Sequence, residues 1–518
     1  ETVTTTRGHR VLGPAEPIPV KNADDYFAKV AAGYVMVDQG VRKQVIWQQV
    51  TAEAARIGGH VRRDEALLDE VTWLVEQPTA FAGSFAPEYL EVPSAVLVTT
   101  MKENQRCFPV YRDEESDELL PYFIGVRNGG LEHIDIVRAG NEKVVAARLA
   151  DARFFWDEDR RQPLEAYNAK LKEAVFQEKL GTQFQRVERL VALARAIGQA
   201  LELTPVEQEQ AVKAAWLCKA DLATRMVFEF PELQGYMGKQ YLLKEGGDPA
   251  VAEAIYEHYL PRGAGDDLPR TRPGIVVALA DKLDTLAGYF SIGLIPTGSQ
   301  DPFALRRAAQ GVVQTLVENG IRVDLTALAS LAIEQYHLSG SEAQKVLSDL
   351  MEFFRARVKV LLEQREVRYD VIDAVLAAGC RDVTDAVHRA EALAAAMAEP
   401  DFAAVTGAFK RVANLAGKAN EAGAVSADIN PARFTEAAER DLYGAFVDLR
   451  PEMKRAYDAG EYLTFYRLAT RLKAPVDAFL DTVRVNVEDD QVRANRYALL
   501  QALGALLSAP ADLSKLQG

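Results

Sequence analysis

Cysteine is scarce in this sequence: Cys107, Cys218 and Cys380 are the three in 518 residues. An odd number, spread this widely, excludes a disulfide ladder and offers no paired metal spacing, which suits reduced thiols in a cytoplasm. Long apolar runs are missing too. No stretch approaches the roughly 20 apolar residues that span a bilayer, so no membrane role is expected. No apolar leader core follows Glu1, so secretion is not indicated. The chain also lacks a basic excess, with 60 Lys and Arg against 75 Asp and Glu and a formal net charge of -15. That excludes a surface coated in positive charge for bulk nucleic-acid binding, and leaves room for local basic patches on one face. Fixed-period repeats are absent, which argues against a solenoid.

What is present divides by pattern. The first 160 residues or so are mixed. Tyr34-Val35-Met36-Val37-Asp38 and Ala95-Val96-Leu97-Val98-Thr99-Thr100 carry the β-branched, apolar signature of strands, and residues 105–111 and 119–126 also read as strands. The acidic run 113–118 between the last two reads as a hairpin tip held in water. Residues 42–57 and 141–156 have helical periodicity. From about 163 the chain is helical. Leu164, Tyr167, Leu171 and Val175 form one apolar stripe at three- and four-residue spacing. Thr204-Pro205-Val206-Glu207 predicts a capped helix start with Glu207 closing a capping box, and Asp301-Pro302 predicts another, ending near Gly320. Boundaries are expected near 157–163 and near 398–401.

Two groups of residues bear on chemistry. Asp221, His258 and Asp281 stand in the helical middle, the last in the apolar run Ala278-Leu279-Ala280-Asp281. Their order resembles the HD superfamily of metal phosphohydrolases, whose site uses a His, a His-Asp pair and a later Asp to hold a divalent ion and activate water. Here Ala220 stands where a His would precede Asp221, and Phe184-Gln185-Arg186-Val187 supplies no upstream His. A weak ion site, a scaffold with a dead site, and plain capping or salt-bridging inside a bundle all fit these residues. The second group is C-terminal. Residues 450–518 hold ten Lys or Arg and nine Asp or Glu, a net of about +1. Arg467, Arg471 and Lys473 cluster near Tyr462, Phe465 and Tyr466, and Arg493-Ala494-Asn495-Arg496 follows in the next helical segment. Arginine beside aromatic rings suits phosphates and splayed bases of RNA, while a solvated helix face is the bland alternative. No Gly-x-x-x-x-Gly-Lys-Ser/Thr loop, no strand-linked Gly-x-Gly-x-x-Gly, and neither His-x-Gly-His nor Lys-Met-Ser-Lys-Ser of class I synthetases occurs. Any ATP-dependent step is therefore expected on another chain.

Several stretches in order resemble the β subunits of bacterial two-subunit glycyl-tRNA synthetases. They include Thr6-Arg7-Gly8-His9-Arg10, Met101-Lys102-Glu103-Asn104-Gln105-Arg106-Cys107-Phe108-Pro109, Phe230-Pro231-Glu232-Leu233-Gln234-Gly235, Glu257-His258-Tyr259-Leu260-Pro261 and Pro296-Thr297-Gly298-Ser299-Gln300-Asp301-Pro302-Phe303-Ala304-Leu305-Arg306-Arg307. Pro475-Val476-Asp477-Ala478-Phe479-Leu480-Asp481 and Arg493-Ala494-Asn495-Arg496 resemble the helical anticodon-binding domain shared with arginyl-tRNA synthetases. The likeness runs to about Leu503, and family chains extend further N-terminally, so Glu1 is expected to mark a truncation.

The resemblance implies an α+β, mainly helical multidomain chain. Residues 1–160 would be a mixed module similar to the editing region of phenylalanyl-tRNA synthetase, 161–324 a degenerate HD-type domain, 325–400 a helical linker and 401–518 an all-helical anticodon-binding bundle. It further implies a tRNA-binding ligase subunit without catalytic or metal residues of its own, partnered by an α subunit in a cytoplasmic tetramer of two α and two β. ATP and magnesium would be used by the α subunit, with no cofactor on this chain. Residues expected to face tRNA-Gly are Tyr462, Arg467, Arg471, Lys473, Arg493, Asn495 and Arg496, with Arg306 and Arg307. The alternatives are an HD-type metal phosphohydrolase and an assembly scaffold with no RNA role.

Overall fold

The computed structural model describes residues 4–298, 300–403, 406–421 and 428–517. Ser299 of the 296–307 stretch, and residues 404–405 and 422–427 of the C-terminal block, lie outside the described residues. The chain forms two compact units, Glu1–Leu171 with Lys219–Asp248, and Lys172–Cys218 with Pro249–Gly518. The fold is mainly helical, with small antiparallel sheets.

In the first unit the strand Leu119–Asn128 lies between Pro78–Ser84 and Phe108–Tyr111. Phe108–Tyr111 contains Pro109 and is an edge strand, where the missing amide does no harm. Phe81 pairs with Gly125 and Gly83 with Phe123. Each ring covers the opposite glycine so closely that a Cβ on Gly83 would lie 2.3 Å from the Phe123 ring, and one on Gly125 2.5 Å from Phe81. The helices Gln39–Arg56 and Glu65–Leu74, capped by Asp38 and Asp64, bury Ile46, Val50, Leu68 and Val71 against Phe108, Val110 and Ile124. The acidic run 113–118 turns between antiparallel strands as expected, with Asp113 accepting from Ser116 N at 2.6 Å.

Two expected strands are not strands. Tyr34 turns the chain with φ 61°, Val35 to Asp38 form a connection tied by Met36 N to Glu76 O at 2.9 Å, and Asp38 serves as a helix cap. Ala95 to Thr100 is helical: Ser94–Thr99 continues into a π turn, Thr100–Asn104. Burial of Val96, Leu97 and Met101 outweighs the β-branched propensity, and Thr100 Oγ1 donates back to Val96 O at 2.7 Å. Of 105–111 only Phe108–Tyr111 is a strand, because Arg106 turns the chain with φ 53°.

The helix Ile134–Asp159 explains why 219–248 belongs to this unit. Trp156 stacks on Tyr241 at 5.1 Å. The buried Asp159 carboxylate accepts from Arg225 N, Met226 N and Tyr241 Oη, each at 2.9 Å. Leu164, Tyr167 and Leu171 are buried on the 3-10 stretch Leu164–Lys172 rather than on an α-helix, and Val175 departs from their stripe, exposed on the short strand Val175–Gln177.

The second unit is built round the helix Arg272–Ser291, buried nearly all round and therefore apolar on every face. Around it pack Gln183–Ala200, Pro205–Leu217, Pro249–Glu257, Leu305–Glu318, Leu325–Glu334 and Gly340–Gln364. Thr204 and Glu207 form the expected capping box. The start expected at Asp301-Pro302 comes at Leu305, because Ala304 takes φ 55°; Asp301 still caps, accepting from Leu305 N at 2.8 Å and Arg306 N at 2.9 Å. The last block comprises Ala437–Asp458, Tyr462–Ala469, Lys473–Thr482 and Asp490–Leu507, with Thr406–Glu421 packed on the last of these.

Candidate nucleic-acid interface and buried carboxylates

The basic residues of the C-terminal helices separate by depth. Arg467, Arg471 and Lys473 lie outside, their side chains 59%, 62% and 45% exposed. Arg467 Nε reaches Glu399 at 3.0 Å, Arg471 reaches Glu452 at 3.8 Å and Lys473 reaches Asp477 at 2.7 Å. Exposed pairs of this kind are worth at most about 1 kcal/mol, so a phosphate can displace them. Arg493 donates to Val487 O at 2.8 Å and pairs with the exposed Asp490. Arg306 donates to Gly298 O at 2.6 Å, and Arg307 is exposed at the start of its helix.

Three residues expected at RNA face inward instead. Arg496 is buried, with Nε on Glu439 Oε1 at 2.8 Å, Nη1 on Arg484 O at 2.7 Å and Nη2 on Thr435 Oγ1 at 2.8 Å. Asn495 exchanges hydrogen bonds with the Asn430 backbone at 2.8 and 3.1 Å. Tyr462 donates to Asp385, and burial followed by that carboxylate pushes its phenol up. Phe465 and Tyr466 are also buried, in ring contact with each other and, through Tyr466, with Phe402. These side chains sit on the inward faces of their helices, so they brace the helices that carry Arg467, Arg471, Lys473 and Arg493. Burial raises the proton affinity of Glu439, but Arg496 and the Glu436 amide outweigh it and hold the carboxyl below the usual range.

Asp221, His258 and Asp281 are divided as well: Asp221 belongs to the first unit, His258 and Asp281 to the second. Asp221 is fully buried and accepts from Gly235 N at 2.6 Å and Gly238 N at 3.0 Å. It thus anchors the turn of the 230–235 motif, where Gly235 adopts φ 80°, and burial pushes its carboxyl up to about 6. His258 is buried with Nδ1 at 2.5 Å from Ile255 O, and Lys282 Nζ holds the next turn through Leu260 O at 2.6 Å. The neighbouring Glu257 carboxylate accepts from Arg270 N at 2.8 Å and Thr271 N at 3.2 Å, fixing the approach to the central helix.

On that helix Asp281 and Asp284 meet two arginines of Gln183–Ala200. Arg186 lies 3.0 Å from Asp281 and 3.6 Å from Asp284, and Arg189 lies 2.6 Å from Asp284. Tyr336 Oη donates to Asp284 at 2.8 Å, and the Arg186 guanidinium rests 4.2 Å from the Phe176 ring. Burial works against the Arg186 charge, yet Asp281 and Asp284 together hold its proton more firmly than usual. A guanidinium therefore supplies the positive charge beside Asp281, and among the described residues no group of three potential ligands gathers for a metal ion.

The family described as glycyl-tRNA synthetase beta subunit matches residues 1–377, and the DALR anticodon binding domain matches 405–513. The chain belongs to the glycyl-tRNA synthetase beta subunit family. The glycine–tRNA ligase beta subunit of Moorella thermoacetica is 47% identical over 516 residues, 99% of this chain and 73% of that protein. Those of Desulforamulus reducens and Clostridioides difficile are 45% and 43% identical, each over 99% of this chain and 73% of the relative. No helix among the described residues of this beta subunit is long and apolar enough to cross a membrane.

Sequence reasoning missed Arg186, Arg189, Asp284 and Tyr336. A usable signal was there. Arg186 and Arg189 are three apart on one helix, Asp281 and Asp284 three apart on an apolar one, and two carboxylates on an apolar helix call for donors or cations at matching spacing.

Proposed function

We propose that this beta subunit holds tRNA-Gly for glycylation by an α subunit that carries the adenylate-forming site, with ATP and magnesium bound there. The observation that carries the reading is the outward placement of Arg467, Arg471, Lys473 and Arg493 on helices within the region matched by the anticodon-binding domain. Their weak surface pairs exchange readily for phosphates, and Arg306 and Arg307 extend the same chemistry to a second region. The relatives are named beta subunits of glycine–tRNA ligases, which supports an α partner and, in this proposal, a cytoplasmic tetramer of two α and two β.

The contribution to rate is positional. A tRNA gripped at the anticodon and acceptor arm presents its 3′ end to the adenylate as an almost unimolecular reactant. The proposed parts are a mixed module at 1–160, a degenerate HD-type domain at 161–324, a linker at 325–400 and the anticodon bundle at 401–518. The Arg186–Asp281 pair supports the view that the middle part binds rather than hydrolyses.

The test is a binding titration of the chain alone, and then with purified α subunit, against tRNA-Gly and a non-cognate tRNA. Tighter binding of tRNA-Gly by the chain alone is the expected result. Absence of tRNA binding both alone and with the α subunit would sink the reading.

A further inference from the structure

The helices Leu305–Glu318 and Gly340–Gln364 pack side by side, and polar groups on them lack partners. Arg357 Nε is buried without a hydrogen bond, and no ion pair to its guanidinium exists among the described residues. Its Cζ lies 5.5 Å from the ring of Phe353, one turn earlier on the same helix. On the other helix Gln310 has both Nε2 and Oε1 buried without partners among the described residues, one turn beyond Arg306. Arg306 clasps Gly298 O at 2.6 Å and has no carboxylate partner among the described residues, while the Asp301 carboxylate is committed to the Leu305 and Arg306 amides. Burial first, and then the Arg306 charge, loosens the hold of Arg357 on its proton, against the pull of Asp301.

Two like charges on packed helices, with the nearby acid, Asp301, already committed to backbone amides, are an unfavourable arrangement, since each desolvated donor and each like-charge contact subtracts from stability. Shortage of acids is not the cause in a chain with 75 Asp and Glu. Positions that break a local rule without a compensating contact are expected at functional or strained sites. The missing partner is an anion with several acceptor oxygens, which is what guanidinium forks match. Three residues before Arg306, Phe303 is 41% exposed and leans on Tyr289 with ring centroids 4.5 Å apart, a fixed aromatic surface of the kind bases stack upon.

We infer that Arg306 and Arg357 form a clamp for a backbone phosphate of RNA, with Gln310 as a further polar partner and Phe303 as a stacking surface beside it. The clamp rests on the tRNA-holding reading and gives it a second anchor, away from the anticodon-type helices in sequence.

The test uses the full chain as wild type, Arg357→Met, Gln310→Leu, and Arg195→Met as an exposed charge-loss control on another helix. Melting is followed in phosphate-free buffer and with inorganic phosphate at matched ionic strength, and tRNA-Gly affinity is measured at two salt concentrations. Arg357→Met should melt at or above wild type without phosphate and lose the stabilisation phosphate confers. It should also bind tRNA-Gly roughly tenfold more weakly at low salt, with a salt slope smaller by about one. Gln310→Leu should show a smaller loss in the same direction, and Arg195→Met none. A lower melting temperature for Arg357→Met in phosphate-free buffer, with phosphate stabilisation and salt slope unchanged, overturns the clamp and makes Arg357 a structural residue. Phosphate stabilisation that depends on Arg357 while the tRNA slope stays at the wild-type value overturns RNA as the source and leaves a site for free phosphate. If the wild type binds no tRNA, the tRNA reading and the RNA assignment both fall, and the phosphate arm alone decides whether the anion site stands.

Discussion

Arg186 and Asp281 meet at 3.0 Å inside the second unit. Asp284, fully buried one turn later, is shared by Arg186 and Arg189. Fixed guanidiniums thus do electrostatically what a divalent ion does in an HD site: they make buried carboxylates tolerable. Unlike an ion, they offer no open coordination position for water.

Arg186→Ala should be strongly destabilising, by about 3–5 kcal/mol, because it removes the buried guanidinium that Asp281 and Asp284 share. Urea unfolding of the wild type and variant checks this. Manganese added to the wild type should give no saturable shift in the unfolding midpoint, whereas a saturable shift would restore the metal reading.

Arg493 and Arg496 should part company. Arg496→Ala leaves Glu439 buried without its cation and is expected to lose about 3–5 kcal/mol, lowering the melting temperature. Arg493→Ala removes a half-exposed side chain and should leave melting nearly unchanged, while weakening tRNA-Gly binding and reducing its salt slope by about one. Equal losses of stability in the two variants would contradict the division by depth.

Asp221 makes stability depend on pH in an unusual direction. Its folded carboxyl is raised from 3.8 to about 6, so the folded chain binds more protons than the unfolded one between those values. The stabilising contribution is present below about pH 4 and is lost as pH rises through about 6, amounting to about 3 kcal/mol. Asp221→Asn, which cannot ionise and keeps an oxygen for the Gly235 and Gly238 amides, should flatten that loss. Unfolding midpoints at pH 4.5 and 7 for both proteins decide it; an unchanged pH slope in the variant assigns the dependence to another group.

Gly83→Ala drives a methyl into the Phe123 ring and should lose about 1–3 kcal/mol. Phe123→Leu in the same chain should recover part of that loss. Thermal melts of the two single variants and the double variant form the cycle, and strict additivity would mean that the ring and the glycine do not meet.

Local signals were legible wherever neighbours in sequence do the work. The Thr204–Glu207 capping box, the acidic hairpin tip at 113–118 and the helix containing 141–156 were all readable because capping, solvation and periodicity are short-range. The strand expected at 95–100 failed for the opposite reason: β-branched residues favour strands until burial of Val96, Leu97 and Met101 favours a helix. The basic and aromatic composition of 450–518 was visible, but which of its members point outward was not.

By itself, then, the sequence determined family membership, helical predominance and the residue types available for RNA, since these follow from residue order and local preference. Only the tertiary structure decided that Arg496 braces Glu439 while Arg493 stays near the surface, that Arg186 and Arg189 neutralise Asp281 and Asp284, and that the Arg357 Nε is buried without a hydrogen bond. Charge, burial and pairing depend on what the fold brings together across tens to hundreds of residues, and no local pattern encodes the depth at which a side chain comes to rest.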